Sequence, residues 1–126
     1  MRRLTTKEIP LVKQRILELR QSFGCAICGI GLTVSTGCLD HDHSTGIIRG
    51  VLCRNCNGIE GKIKNLVTRG RRGMPHKDYL GKMILYWINH ETDKTGLLHP
   101  VHLDEEQKRV KRNTRARKVR LIKKKG

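Results

Sequence analysis

Aromatic residues are almost missing from this chain: one Phe, one Trp and two Tyr among 126 residues. Proteins that grip single-stranded nucleic acid stack its bases on aromatic side chains, so that mode of binding is disfavoured. Anions are scarce as well, 11 Asp and Glu against 27 Lys and Arg, which gives a net charge of +16. Solubility asks a small domain for a net charge of only about 2–8. The excess calls for a polyanionic partner, and the usual ones are nucleic acid and an anionic membrane surface. Long apolar runs are absent. The longest, Met83–Ile88, has six residues, whereas a bilayer-spanning helix needs about 20. The first residues carry charge with no apolar stretch behind them, so the start does not read as an export signal. Hydrophobic residues make up 37%, little for a core. A chain of this length reads as one domain that needs a staple.

The charge is unevenly spread. Residues 1–20 hold six cations and two anions, residues 61–90 seven cations and one anion, and residues 108–126 eleven cations and no anion. Residues 21–60 hold only Arg49 and Arg54 against Asp40, Asp42 and Glu60. This slightly acidic block contains all five cysteines, together with His41 and His43. Such a layout is expected if basic flanks grip a polyanion while the middle supplies structure or chemistry.

Hydrophobic spacing gives a coarse set of elements. Ile9, Val12, Ile16, Leu19 and Phe23 recur at helical intervals, so an amphipathic helix is predicted over about 9–22, with Pro10 in its first turn and Gly24 as its stop. The β-branched stretches Thr33–Thr36 and Ile47–Leu52 predict a β-hairpin, joined through the polar run at 40–46. A short helix from Asn57 to about Val67 is weakened by Gly58 and Gly61. Residues 69–76 read as a basic loop. Tyr79, Leu80, Met83, Ile84, Trp87 and Ile88 predict a helix over 77–90 with one apolar face. Residues 104–126 fit either a charged helix or a disordered tail. The domain is accordingly expected over 1–103, with a finger core at 23–67 and a basic tail at 104–126.

The strongest motif is the cysteine set. Cys25-Ala-Ile-Cys28 and Cys53-Arg-Asn-Cys56 are two C-x-x-C pairs with 24 residues between them. Each pair turns two thiolates toward one ion, and two pairs complete the S4 tetrahedron that zinc prefers. Without an export signal disulfides are disfavoured, and a redox motif would not come as two pairs around a hairpin. Cys38 is left over, as a buried small residue or a free thiol. A zinc ion held by four thiolates has no open position, so its role is structural.

Chemistry must then lie elsewhere in the block. Leu39-Asp40-His41-Asp42-His43 sets hard carboxylate ligands beside imidazoles that titrate near neutrality. A carboxylate with a nearby Asn carbonyl suits Mg²⁺, which accepts phosphate oxygens as further ligands, and an imidazole suits proton abstraction from water. A solvated polar turn is the plain alternative. Asn57 and Glu60 would project from the first turn of the following helix. Judged by itself, Asn57 reads first as a helix N-cap, with a metal-ligand role as the alternative.

Taken together, Cys-x-x-Cys, Leu39-Asp40-His41-Asp42-His43, Gly46-Ile-Ile-Arg49-Gly50-Val-Leu52-Cys53-x-x-Cys56-Asn57 and Glu60-Gly61 resemble the phage recombination endonuclease VII family. These are zinc-stapled members of the His-Me finger (ββα-metal, HNH-like) nucleases. The resemblance is specific over about residues 23–62 and weaker through the apolar helix to His99-Pro100. It implies an α+β fold, a ββα-metal finger flanked by helices. It implies that Asp40 and Asn57 hold one catalytic Mg²⁺ or Mn²⁺, that His41 is the general base, that His43 supports the site and that Glu60 is an auxiliary acid. The four cysteines would bind zinc away from the reaction. Cys38 stands where resolving members of the family carry a further His. The substrate implied is DNA, branched or duplex, cut to a 5′-phosphate and a 3′-hydroxyl in the cytoplasm of an infected host.

Arg49, Lys62, Lys64, Arg69, Arg71 and Arg72 are the candidates for contacting DNA. Family members dimerise through helices on either side of the finger, and the faces at 9–22 and 77–90 fit that role or packing within a monomer. Two further functions fit the same residues: an HNH-type nicking or packaging endonuclease on duplex DNA, and a zinc-stabilised DNA-binding protein without catalysis.

Overall fold

Helix α1 begins at Ile9 with Pro10 in its first turn and runs to Ile16. Pro lacks an N–H that the first turn would leave unpaired anyway. The chain then widens into a π-type turn over Leu17–Gln21 and leaves it through Ser22, whose φ of 46° lies in the left-handed region. Leu17 is fully buried, whereas Leu19, which the 3.6-residue period places in the core, is 73% exposed.

The rest of the fold follows in a computed structural model describing residues 1–126, which form two compact units, Met1–Leu85 and Tyr86–Gly126. In the first unit, strand β1 (Cys38–His41) pairs antiparallel with β2 (Ile48–Leu52), and helix α2 (Arg54–Gly70) follows directly. Helix α3 spans His76–Asn89. The second unit holds the end of α3, an Asp93-centred turn and helix α4 (Glu105–Lys125), capped by the Asp104 side chain on the N–H of Gln107 at 2.7 Å. The architecture is α+β: a two-stranded sheet among helices. No helix is long and apolar enough to cross a membrane.

The first strand lies later in the chain than its β-branched content predicts. Thr33–Thr36 is a turn, not a strand. Its hydroxyls satisfy the local backbone: the N–H of Thr33 donates to Thr36 Oγ1 at 2.8 Å, and Gly37 N–H donates to the Thr33 carbonyl at 2.9 Å. Threonine side chains compete with a sheet ladder in this way. A Cβ on Gly37 would sit 2.5 Å from Val51 Cγ1, so only glycine lets this turn meet β2. Lys13 of α1 ties the turn down, donating to the carbonyls of Val34 and Gly37 at 2.9 and 3.0 Å.

The core is small. Leu17, Cys25, Leu32, Val51 and Leu52 form one cluster, with Ile16, Leu39, Cys53 and Cys56 packed against it. Two of its five buried members come from β2, whose outer edge is closed by side-chain hydrogen bonds. The Gln21 amide nitrogen donates to the carbonyls of Gly24 and Val51, both at 2.8 Å, and its oxygen accepts from Val51 N–H at 2.9 Å. The Val51 carbonyl also accepts Ala26 N–H at 3.2 Å, but its N–H has Gln21 as partner, and Val51 is fully buried, so that N–H has no water to turn to. Gln21→Ala should therefore cost about 1–3 kcal/mol, read as a lower urea midpoint of the zinc-loaded protein. An unchanged midpoint would show that the clamp adds nothing to stability.

Candidate active site and zinc centre

Two loops bring the cysteines together. Cys25 and Cys28 lie on a tight turn closed by Gly29 N–H on the Cys25 carbonyl (3.0 Å) and by Cys25 N–H on the Ile30 carbonyl (2.8 Å). Gly29 permits the turn with a φ of +79°. Cys53 follows β2 directly and is the N-cap of α2, its sulfur accepting the N–H of Cys56 at 3.4 Å. The ligand atoms of Cys25, Cys28, Cys53 and Cys56 all lie within 4.8 Å of one another. A tetrahedron with Zn–S bonds of about 2.3 Å has sulfur–sulfur edges of about 3.8 Å. The Cys28 and Cys53 sulfurs are 3.8 Å apart, so the cluster fits a zinc ion.

The thiols are unequal. Burial pushes the Cys25 thiol up, but N–H groups of Cys53, Cys28 and Ile27 aimed at its sulfur outweigh that and bring it down to about 6. The neighbouring sulfurs of Cys53 and then Cys28 push the Cys56 thiol up to about 12. A divalent cation at the centre stabilises the charged form of every ligand at once. Cys38, in β1, lies outside the cluster as a half-buried free thiol.

Asp40 and His41 end β1, so they sit on a strand and not within the connecting loop. The loop is built by Asp42. Its carboxylate accepts the N–H groups of Ser44 (2.7 Å) and Thr45 (3.2 Å), and these bonds hold its pKa below the usual carboxylate value. Gly46 closes the loop with a φ of +77°. His41 and His43 are both exposed, and their rings stack with centroids 4.7 Å apart.

Asp40 pairs with Gly50, yet the next residue, His41, pairs with Ile48. Arg49 is thus the extra residue of a β-bulge. Regular pleating would send Arg49 to the face opposite Gly50 and Asp40. A bulge re-aims one side chain in this way, and bulges are over-represented beside active sites. Arg49 reaches the buried Asp40 through two hydrogen bonds, Nε to Oδ2 at 2.7 Å and Nη2 to Oδ1 at 3.0 Å. The same Nη2 stands 3.2 Å from Glu60 Oε2 on α2. Two carboxylates, one buried and one half-buried, therefore already share one cationic group. Carboxylate oxygens of this kind are ligands that suit Mg²⁺.

Asn57 is not the cap of α2. Cys53 holds that position, and Asn57 N–H donates to the Cys53 carbonyl at 2.9 Å as an ordinary residue of the second turn. The amide side chain is free for another use. Asn57, Glu60 and Lys64 follow one another at intervals of three and four residues and so share a face of α2. Lys64 and Arg49 both add to the depression of the Asp42 pKa, so both lie near the loop. The remaining basic candidates are elsewhere. Lys62 and Arg69 are seven residues apart on a helix face roughly 160° away. Arg71 and Arg72 follow the helix end, and all four are exposed. Neither the bulge nor the Gln21 clamp leaves a mark in residue spacing.

A hairpin and a helix joined at a four-thiol knot define a zinc-stapled ββα finger, with an Asp-His pair on one strand and an Asn and a Glu on the helix. The family model for recombination endonuclease VII matches residues 1–87. The chain belongs to that family of endodeoxyribonucleases.

Proposed function

We propose that this chain is a metal-dependent endonuclease that cuts branched DNA, such as four-way junctions, in the cytoplasm of a phage-infected cell. The convergence of Asp40, Arg49 and Glu60 at the end of the hairpin that carries His41 is the observation that supports this most. Asp40 and Asn57 are the proposed ligands of Mg²⁺ or Mn²⁺, and Glu60 is an auxiliary acid. When bound, the metal supplies charge stabilisation for a phosphodiester transition state.

The chain's own side chains supply the rest. His41 takes the proton from the attacking water, which lies in line with the leaving 3′ oxygen, and 5′-phosphate and 3′-hydroxyl ends result. His43, stacked on His41, limits the freedom of the base. Arg49 and Lys64 are close enough to the loop to meet phosphate oxygens. Lys62, Arg69, Arg71 and Arg72 give a second, sequence-tolerant contact with the backbone.

The nuclease machinery is assigned to residues 1–103, with 104–126 as a basic arm. Helix α4 carries all eleven cations of residues 108–126 and buries no residue. Each phosphate it neutralises adds about −0.9 to the slope of log K against log salt. On α3, Ile84, Leu85, Trp87 and Ile88 are 50–61% exposed. That apolar strip supports pairing of two copies, which would set two sites against two strands.

The selective test compares a four-way junction with linear duplex of the same sequence, in Mg²⁺ and at equal protein. Faster cutting of the junction is expected. Equal rates would favour an HNH-type nicking or packaging enzyme, and binding without any cutting a zinc-stabilised DNA-binding protein.

A further inference from the structure

We propose that Arg49 is the built-in counter-ion of the metal site, and that a divalent cation binds by displacing its guanidinium from Asp40. This rests on Asp40 being a metal ligand, as proposed above. Both Asp40 oxygens are engaged by Arg49, at 2.7 and 3.0 Å, in a two-pronged pair. Mg²⁺ holds its oxygen ligands at about 2.0–2.1 Å and tolerates little distortion. An ion at that distance on the side facing Arg49 would overlap the guanidinium, so the two exclude one another. Asp40 is 7% exposed, which leaves little solvent to screen it when neither cation is there.

Arg49 is built to leave as well as to hold. Its side chain is 35% exposed, against 8% for that of Asp40. The 3.2 Å contact to Glu60 involves Nη2 alone. Rotation away from Asp40 can keep that contact, so Glu60 tethers the guanidinium beside the site after the exchange. The bulge matters here, because only the extra residue in β2 brings Arg49 to this face. The arrangement has a cost. Metal affinity is lowered by the strength of the pair that must be broken, and a hydrogen-bonded charge pair of this kind is worth about ten- to a hundredfold in a binding constant.

The sign of that effect separates this role from a merely structural one. Mn²⁺ binding is measured by electron paramagnetic resonance of free Mn²⁺, on the zinc-loaded full chain without DNA, for wild type, Arg49→Gln, Arg49→Lys and Asp40→Asn. Arg49→Gln should bind Mn²⁺ about ten- to a hundredfold more tightly than wild type. Arg49→Lys, which keeps the charge and loses the fork, should fall between them, and Asp40→Asn should lose the site. If wild type binds through Asp40 and Arg49→Gln binds equally or more weakly, Arg49 only braces the hairpin and the proposal is overturned. If no form shows Mn²⁺ binding that Asp40→Asn abolishes, Asp40 is not a metal ligand, and both readings fall. Unchanged zinc content and melting temperature in Arg49→Lys guard against a folding artefact.

Discussion

Replacing His41 with alanine should slow DNA cleavage by about 10²–10⁴-fold, the usual contribution of a positioned general base. Nothing in the fold should suffer. His41 is exposed at the end of β1, and its ring stacks on that of His43. Truncation opens no cavity and orphans no buried polar group, so zinc content, melting temperature and DNA affinity should stay at wild-type values. His43→Ala removes the stacking partner alone and should cost less. The check is single-turnover cleavage at saturating DNA and saturating Mg²⁺. Near-normal cutting by the His41 variant would remove the base from His41, and a fall in zinc content would mean that the loss was structural.

Cys53→Ser should have the largest effect on stability. Three jobs meet in this residue. Its sulfur is 3.8 Å from that of Cys28 within the metal cluster, it caps α2 through Cys56 N–H, and its own N–H donates to the Cys25 sulfur at 3.3 Å. Serine can keep the cap, since hydroxyls cap helices well, but it cannot complete the S4 set. Structural zinc sites contribute apparent binding free energies of about 10–16 kcal/mol at neutral pH. Whole-domain stabilities are only about 5–15 kcal/mol. With a core cluster of five buried residues, little remains once the ion is lost. The variant is expected to lack zinc and to show no cooperative thermal transition by circular dichroism. A variant that melts like wild type without zinc would show that the apolar cluster suffices and that the thiol knot is dispensable.

The parts of this molecule that the sequence announces are those that depend on short, fixed spacings. Two C-x-x-C turns need only local geometry to aim sulfurs at one point, and the four sulfurs do converge. The run Tyr79–Ile88 is helical because its period repeats over enough residues to outweigh context. Other features depend on partners far along the chain. Thr33–Thr36 has the composition of a strand, but its hydroxyls close a turn on their own backbone, and the strand falls instead on Cys38–His41. Leu19 keeps the helical period and is exposed, whereas Leu17, where the π-type turn begins, is fully buried. Asn57 has the chemistry of a cap, yet Cys53 takes the cap because the zinc turn sets where α2 begins. The pairing of Arg49 with Asp40 was the least legible. It rests on one extra residue in β2, and strand alternation by itself puts the two side chains on opposite faces.

The charge pattern gains a sharper meaning from this geometry. The central block is not simply short of cations. It keeps one arginine at the point where two carboxylates meet, and the other cation of residues 21–60, Arg54, is exposed at the start of α2. Arg49 there neutralises two carboxylates that would otherwise repel one another.

The most direct test of the central claim, metal-dependent cutting at Asp40, His41 and Asn57, is cleavage of a four-way junction by zinc-loaded protein freed of other divalent ions, before and after Mg²⁺ is added, for wild type and Asp40→Asn. Wild type should be silent without Mg²⁺ and should yield 5′-phosphate ends once it is added, while Asp40→Asn stays silent throughout. Cleavage before Mg²⁺ is added, or wild-type cutting by Asp40→Asn, would contradict the account.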